Sequence, residues 1–286
     1  MSSITQFHAP ETVDEAVRIL RECGVGACVL AGGTDLMVRS RRRMLPPSLT
    51  TLVSVHRIAA MSEIRRENGE IAVGASVTAS GLIRDPVVAE HVPILATVAD
   101  RMASPQVRNV ATIGGNLANA SPAGDLISPL ILLDASLLLV STGSSRTIPV
   151  EEFFTGPGET ILEPHEMIVE VRLAAPAPGR VFRFEKAGTR PAMECSFVTA
   201  GLAYDIRDGA FRNVRVSFGS VAPTPLRGRG TETVLEGQAP SAELAAQAAD
   251  AAREEISPIT DVRGSDCYRE ALTGVFIRRL VEEAVR

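Results

Sequence analysis

The sequence of 286 residues predicts an α+β fold in two domains, because a typical domain has about 150 residues. A capped helix alternates with apolar strands in the first 55 residues, and a proline-rich segment spans residues 174–180. Strands followed by two long amphipathic helices fill the remainder. We therefore expect an N-terminal domain over residues 1–175, with a small α/β unit (about 1–55) and a larger sheet-and-helix unit (about 56–175). A C-terminal antiparallel sheet with a helical bundle is expected over residues 178–286.

The small N-terminal unit begins with a helix that has a capping box over Thr12 to Glu15 and ends at Gly24. A buried strand, Ala27 to Ala31, leads through the turn Gly32-Gly33-Thr34-Asp35 into a second helix that contains Met37 and Val38. Thr51 to Val55 is predicted to form the next strand. The order of strand, glycine turn and helix is typical of segments that present free N–H groups to a phosphate.

The larger unit is predicted to begin with a β-hairpin, because Asn68-Gly69 separates apolar residues from Ile64 to Val73. Helices, strands and one turn-rich connection follow in chain order: helices Ala79 to Arg84, Ile94 to Met102 and Leu126 to Leu133, strand Leu137 to Val140, connection Glu151 to Gly158 and strand Met167 to Leu173.

The C-terminal part changes from strands to helices. Three strands are predicted at Phe182 to Glu185, Phe197 to Ile206 and Val214 to Val221, with Asp208-Gly209 as a hairpin turn. Amphipathic helices are predicted at Ala242 to Ile256 and Tyr268 to Val285.

The stretch from Ala111 to Asp125, ATIGGNLANASPAGD, contains almost no bulky side chain. Its pair Gly114-Gly115 permits positive φ angles and close approach of a ligand to backbone N–H groups. A plain tight turn with Asp125 as the cap of the next helix is the alternative. We favour a ligand-binding loop, which together with the Gly32-Gly33 turn would hold the two phosphates of a dinucleotide.

Composition and motifs exclude several other classes of protein. A net charge of −5 disfavours nucleic acid as a partner, and no apolar run approaches the roughly 20 residues of a membrane span. The N-terminus lacks the pattern of a secretory signal, so we expect a cytoplasmic protein. No P-loop and no complete Rossmann fingerprint is found. The four cysteines and four histidines are scattered, which predicts reduced, mostly buried thiols and no metal site in this chain.

Basic residues form two notable features. Lys186 is the single lysine among 29 lysine and arginine residues, which suggests a need for a compact ammonium group, although chance placement on a strand surface is the alternative. Arg39, Arg41, Arg42 and Arg43 cluster at the end of the second predicted helix. A solvated helix end explains this cluster, and a docking patch for another subunit is the alternative.

Four segments carry a family resemblance: AGGTDL (Ala31 to Leu36), PQVRNVATIGGNLANASPAGD (Pro105 to Asp125), FFTGPGE (Phe153 to Glu159) and the region around Lys186. Together they resemble the FAD-binding medium subunit of bacterial molybdenum hydroxylases, a group that includes the flavin subunits of xanthine dehydrogenase and aerobic carbon monoxide dehydrogenase. The resemblance covers nearly the whole chain. The segments Ala192 to Ser196 and Phe218 to Arg227 favour the xanthine-dehydrogenase-like branch.

The resemblance implies which residues contact FAD. The segments that match Val29 to Leu36 and Thr112 to Asn116 would wrap the FAD diphosphate, and Asp125 would contact its adenosine side. Ile168 matches an apolar position near the flavin or the adenine, and Lys186 matches a lysine near the flavin that would stabilise the reduced form. Met102 stands where some relatives carry an aromatic contact. The complete set of implied contacts is Val29, Leu30, Ala31, Gly32, Gly33, Thr34, Asp35, Leu36, Thr112, Ile113, Gly114, Gly115, Asn116, Asp125, Ile168 and Lys186.

The implied function is electron transfer in a larger complex. Substrate, purine-like or another N-heterocycle, would be hydroxylated at a molybdenum cofactor on a large partner subunit. Electrons would pass through two [2Fe–2S] clusters on a small partner to FAD in this chain, and then to NAD⁺ or another acceptor. The usual assembly of the family is a dimer of heterotrimers. No catalytic acid, base or nucleophile is needed in this chain, because the cofactor supplies the redox chemistry. A stand-alone FAD-dependent oxidoreductase and a non-catalytic nucleotide-binding protein are the alternatives.

Overall fold

The small N-terminal unit is a three-stranded parallel sheet flanked by helices, in a computed structural model that describes residues 4–190 and 193–285. The elements of this unit are β1 (Gln6–His8), α1 (Val13–Cys23), β2 (Ala27–Leu30), α2 (Leu36–Arg41) and β3 (Thr51–Ser54), and the strand order is β1-β3-β2. The side chain of Thr12 accepts a hydrogen bond from the backbone N–H of Glu15, which confirms the predicted helix start. The prediction that β2 is buried is wrong: its residues are half-buried, because β2 is an edge strand.

The larger unit is a five-stranded antiparallel sheet with short helices. Its elements are β4 (Ile64–Glu67), β5 (Glu70–Gly74), α3 (Ala79–Arg84), α4 (Pro86–His91), α5 (Pro93–Asp100), α6 (Pro105–Arg108), α7 (Ile113–Ala118), α8 (Ile127–Leu132), β6 (Ser136–Ser141), β7 (Ser144–Pro149), β8 (Phe154–Gly156), β9 (Glu159–Thr160) and β10 (Met167–Ala174). The sheet order is β4-β5-β10-β6-β7, while β8 and β9 form a small separate ribbon. Positive φ angles at Asn68 and Gly69, 51° and 82°, confirm the predicted hairpin between β4 and β5.

Three features of this unit differ from the sequence prediction. The predicted connection from Glu151 to Gly158 contains β8, and the ribbon strand β9 follows it. Edge strand β7 was not predicted, because its residues SSRTIP are polar and largely exposed and lack a buried apolar face. The one-turn helix α6 begins with a proline whose preceding residue, Ser104, caps it, and it is too short to show helical periodicity.

The C-terminal unit is a four-stranded antiparallel sheet covered by helices. Its elements are β11 (Val181–Ala187), β12 (Val198–Arg207), β13 (Ala210–Gly219), β14 (Leu226–Arg227), α9 (Arg229–Leu235), α10 (Ala242–Glu254) and α11 (Asp266–Glu282), with strand order β11-β12-β13-β14. Asp208 and Gly209 have φ angles of 53° and 72°, which confirms the predicted turn. The helices α10 and α11 pack against each other and bury Phe276 and Ile277 in the core of this unit.

Helix α8 joins the two parts of the chain, because it packs against both β12 and β13. The hydroxyls of Ser128 and Ser217 form a buried hydrogen bond of 2.7 Å across this contact. Asp134, just after α8, pairs with Arg215 at 2.8 Å and with Arg227 at 3.0 Å. The apolar residues form two core clusters that divide the chain except at β11, where Phe184 belongs to the cluster of the N-terminal part. We propose the segment between residues 175 and 178 as the domain boundary on this basis.

Cysteine exposure departs in part from the prediction of mostly buried thiols. All four cysteines are free. Cys23 and Cys28 are half-buried, but Cys195 and Cys267 are exposed, because they lie in a loop and in the first turn of α11. Within residues 4–190 and 193–285, no group of three histidine, cysteine or acidic side chains is placed to hold a metal ion. None of the described helices is long and apolar enough to cross a membrane.

Candidate functional site

A cleft of about 270 Å³ lies where the small N-terminal unit meets the larger sheet-and-helix unit. Both predicted glycine segments contribute to its walls. The predicted contacts that line it are Val29, Leu30, Ala31, Gly32, Gly33, Thr34, Asp35, Leu36, Thr112, Gly114, Gly115, Asn116 and Ile168. Met102 also lines it, at the position where the family resemblance implied a cofactor contact. The structure therefore brings together residues that lie more than 130 positions apart in the sequence.

The two glycine segments touch each other through the backbone at Gly32. A Cβ atom on Gly32 would lie 1.8 Å from the carbonyl oxygen of Val110 and 3.1 Å from the Cα atom of Ala111. Only glycine permits this approach, because the opposing atoms are backbone and cannot move aside as a side chain can. Gly33 has a φ of 66°, which L side chains rarely adopt, and this angle turns the chain from β2 towards α2.

The segment from Gly32 to Leu36 presents backbone donors to the cleft. Among the described contacts, none of its backbone N–H groups donates to another protein atom, although the carbonyls of Gly33 and Asp35 accept from Met37 and Arg39. Unpaired backbone N–H groups are costly when a site closes over them, so a ligand with acceptor oxygens fits here. The diphosphate of a dinucleotide supplies such oxygens.

The second glycine segment differs from the predicted loop with positive φ angles. Gly114 and Gly115 lie in the first turn of α7 with Thr112 as its cap, and neither has a positive φ. The N–H of Gly114 donates to the carbonyl of Ala75 at 2.9 Å, and the N–H of Gly115 donates to Oγ1 of Thr112 at 3.0 Å. Glycine is needed at position 114 for close packing, because a Cβ there would lie 2.6 Å from the Cβ of Ala75.

Three predicted contacts lie away from the lining of the cleft. Ile113 has no exposed surface and belongs to the hydrophobic core. Asp125 does not cap α8, which starts after Leu126 without a side-chain cap, so the capping alternative is wrong. Its carboxylate instead accepts from Nζ of Lys186 at 2.6 Å and from Oγ of Ser196 at 2.5 Å.

The side chain of Lys186 on β11 is buried and paired, so the alternative of chance placement on an open strand surface does not fit. The side chains of Lys186 and Asp125 are each 9% exposed. Nζ of Lys186 also donates to the carbonyl of Arg101 at 3.2 Å, and Nη1 of Arg101 donates to the carbonyl of Phe184 at 3.2 Å. This cluster therefore connects the C-terminal sheet to the segment that carries Met102.

Sequence reasoning missed several residues of the cleft, among them Cys28, Arg39 and Ser76. Ser76 follows β5, and no glycine or charge pattern marks it in the sequence. Oγ of Ser76 and Oδ1 of Asn116 are buried without a hydrogen-bond partner among the described atoms. Buried polar atoms are almost always paired, so these two indicate that a polar ligand completes the site. The residues present thus fit a cofactor that carries hydrogen-bonding groups as well as a diphosphate.

An ion pair between the buried Glu166 and the more exposed Arg146 lies beside the cleft residues Leu162, Met167 and Ile168. The carboxylate of Glu166 accepts from Nη2 of Arg146 at 2.7 Å, and the same nitrogen donates to the carbonyl of Ile161 at 2.9 Å. Burial opposes ionisation of Glu166, but the hydrogen bonds from Arg146 and from the N–H of Glu163 outweigh it and hold the pKa of Glu166 below its ordinary value of 4.5.

Replacement of Glu166 by glutamine is expected to reduce stability in a pH-dependent way. The depressed pKa means that the carboxylate stabilises the fold above pH 4.5 and that this contribution is lost as the pH falls through the lower folded value. We expect the Glu166→Gln variant to unfold in urea with about 1–3 kcal/mol less free energy at pH 7, and the difference from wild type to shrink below pH 4.5. Glu163→Gln, which alters a carboxylate that is 58% exposed, is the control. A difference that stays constant with pH would contradict the assignment.

Comparisons with known proteins agree along the whole chain. Residues 3–176 match the family described as the FAD binding domain in molybdopterin dehydrogenase, and residues 183–284 match the CO dehydrogenase flavoprotein C-terminal domain. The chain is 35% identical to the carbon monoxide dehydrogenase medium chain of Hydrogenophaga pseudoflava, over 98% of this chain and 96% of that one. It is 29% identical to the putative xanthine dehydrogenase FAD-binding subunit of Escherichia coli K12, over 100% and 97% of the two chains.

A solved structure shows the same fold. Carbon monoxide dehydrogenase from Hydrogenophaga pseudoflava, in a form that lacks the Mo-pyranopterin moiety, superposes with a TM-score of 0.92 at 34% identity, over 96% of this chain and 94% of that one. These findings confirm the predicted α+β fold and the predicted family. Relatives of both branches match, so the preference for the xanthine-dehydrogenase-like branch stays a prediction. One of the two segments that favour this branch spans residues 192–196, and its residue 192 lies outside the described residues. The chain belongs to the flavoprotein subunits of molybdopterin dehydrogenases, which are oxidoreductases, and its cofactor is FAD.

Proposed function

We propose that this chain is the electron-transfer subunit of a molybdenum hydroxylase complex. It takes electrons from [2Fe–2S] clusters of a small partner subunit and passes them to NAD⁺ or to another acceptor. Bound FAD supplies the redox chemistry, and the protein supplies binding, orientation and electrostatics. The substrate, which we propose to be purine-like or another N-heterocycle, reacts at the molybdenum cofactor of a large partner subunit.

The chemistry of the cleft lining carries this proposal. Among the described residues that line the cleft, Asp35 and Arg39 are the only charged side chains, and no histidine is present. A stand-alone oxidoreductase must also bind its organic substrate and move protons to or from it, for which it uses acid or base groups near the flavin. The lining instead combines free backbone donors at Gly32 to Leu36 with apolar walls such as Met102 and Ile168. This combination binds and orients a cofactor without acting on a substrate.

We propose Gly32 to Leu36 as the segment that holds the diphosphate of FAD, since its N–H groups are unpaired. The α7 turn with Thr112 to Asn116 packs beside it, and Ile168 contributes an apolar surface. Asp125 and Lys186 pair at 2.6 Å, so the implied contacts of Asp125 with the adenosine side and of Lys186 with the flavin cannot both be made, because these are opposite ends of FAD. We place both side chains near the flavin end, next to the segment that carries Met102. Ile113 supports this site from the core and makes no contact of its own.

The proposed partners and location follow from the family. The Hydrogenophaga relative is named a medium chain, which supports a complex with a small iron–sulfur subunit and a large molybdenum subunit. We propose a dimer of such heterotrimers in the cytoplasm. The xanthine dehydrogenase relative supports a purine-like substrate, whereas the carbon monoxide dehydrogenase relative supports carbon monoxide as the substrate. Nucleic acid is not a proposed partner, because the net charge is −5.

The visible spectrum of the purified full chain, with and without its co-purifying subunits, tests the proposal. We expect flavin absorption in both preparations. Candidate substrates such as a purine should bleach the flavin bands only when the partner subunits are present. Bleaching by substrate on the isolated chain would favour the stand-alone oxidoreductase. A chain that stays colourless after addition of FAD would refute the assignment of the cleft.

A further inference from the structure

One cation lines the cleft and was not among the predicted cofactor contacts. Arg39 lies on α2, one helical turn after Asp35, and this solvent-exposed residue is part of the cleft lining. The other arginines of the cluster, Arg41, Arg42 and Arg43, do not line it. Among the described lining residues Arg39 is therefore the only positive charge, and it stands next to the segment with unpaired backbone N–H groups.

The guanidinium of Arg39 has no protein partner among the described residues. None of the described ion pairs or side-chain hydrogen bonds includes it, whereas Arg146, Arg215 and Arg227 are all paired with carboxylates. Arg39 also lies close enough to the cleft residue Cys28 on β2 for its charge to influence the Cys28 thiol. Burial raises the pKa of the Cys28 thiol, and the nearby charge of Arg39 opposes this rise. The charge of Arg39 is therefore felt at the cleft wall formed by β2, although the residue itself is exposed to solvent.

We propose that Arg39 is a further cofactor-binding residue whose guanidinium pairs with the FAD diphosphate. The diphosphate carries two negative charges, and guanidinium groups bind phosphate oxygens through two parallel N–H donors. Backbone donors from Gly32 to Leu36 supply neutral hydrogen bonds, and Asp35 adds a negative charge at the same place. A cation in the lining is needed to offset these charges. The inference rests on the proposed function, in which FAD occupies this cleft.

Titration of the flavin-free full chain with FAD, followed by quenching of flavin fluorescence, tests the proposal. Arg39→Gln removes the charge and keeps much of the side-chain volume, and we expect it to raise the Kd for FAD roughly tenfold. Arg39→Lys keeps the charge but loses the paired donors, so its Kd should lie between those of wild type and Arg39→Gln. Arg41→Gln changes a charge on the same helix outside the cleft and is the matched control, with an expected change below twofold.

The salt dependence of the Kd for FAD distinguishes a direct ion pair between Arg39 and the diphosphate from a general effect of the net charge. Added salt screens an ion pair, so the wild-type Kd should rise more steeply with salt than that of Arg39→Gln, and the two should converge. Equal effects of Arg39→Gln and Arg41→Gln would overturn the proposal, and so would an unchanged Kd and salt dependence in Arg39→Gln. These results would leave the proposed function intact, because wild type would still bind FAD. Failure of the wild-type chain to bind FAD would instead refute the proposed function itself.

Discussion

Replacement of Gly32 by alanine is expected to abolish FAD binding and to destabilise the N-terminal domain strongly. The new Cβ atom would lie 1.8 Å from the carbonyl oxygen of Val110 and 2.6 Å from its carbonyl carbon. Two backbone segments must then move apart, because no flexible side chain can absorb the overlap. We expect a loss of roughly 3 kcal/mol or more in the free energy of unfolding. The two walls of the cleft meet at this contact, so their separation should also remove the site.

Urea unfolding and FAD titration of the full chain measure both effects. Gly26→Ala is the matched control, because this glycine lies just before the same strand and its added Cβ would meet only ordinary contacts, 3.5 Å from the carbonyl oxygen of Ser48. We expect the control to bind FAD like wild type and to change stability by less than about 0.5 kcal/mol. A Gly32→Ala variant that binds FAD normally would show that the two glycine segments do not need this contact.

Removal of one partner of the Asp125–Lys186 pair is expected to cost about 3–5 kcal/mol of stability. Both side chains are 9% exposed. Removal of either one therefore leaves the other as a buried charge without its counter-ion. Lys186→Met leaves the carboxylate with Ser196 as its remaining described side-chain partner, while Asp125→Asn leaves the ammonium with the carbonyl of Arg101. The double variant removes both charges. It should therefore cost less than the sum of the single changes, and urea unfolding of all four proteins measures this coupling.

The flavin midpoint potential of the same variants tests the proposed contact of Lys186 with FAD. A positive charge near the flavin favours its anionic reduced form, so Lys186→Met should lower the potential and Asp125→Asn should raise it. Opposite shifts cannot arise from a general loss of structure. Retained FAD occupancy with an unchanged potential in Lys186→Met would limit Lys186 to a structural role.

Local sequence patterns were sufficient to predict the fold at places where a single turn or helix cap determines the backbone geometry. The hairpins at Asn68-Gly69 and Asp208-Gly209 need positive φ angles that few other residue pairs adopt, so both could be predicted. Thr12 and Glu15 define the start of α1 in the same way. The glycine segments could be assigned to one site because their low bulk, together with the family resemblance, marks them as unusual.

Contacts between distant residues could not be predicted from these patterns. Gly114 was interpreted as a position of positive φ, but its neighbour Ala75 is 39 positions earlier and requires a residue without a side chain. Asp125 has the residue type of a helix cap, yet its partners Lys186 and Ser196 lie on the other side of the proposed domain boundary. Arg39 was grouped with its arginine neighbours, because nothing in the sequence shows which of the four arginines lines a cleft.

The reciprocal hydrogen bonds between the two parts of the chain have a thermodynamic consequence. Arg101 donates to the carbonyl of Phe184, and Lys186 donates back to the carbonyl of Arg101, immediately before the cleft residue Met102. A ligand that binds only the folded state stabilises every contact on which its site depends. Binding energy gained in the cleft is therefore transmitted to the packing of β11 against the N-terminal domain. We therefore expect FAD binding and the docking of the C-terminal sheet to be linked, so that loading the cofactor also strengthens the contact between the two parts of the chain.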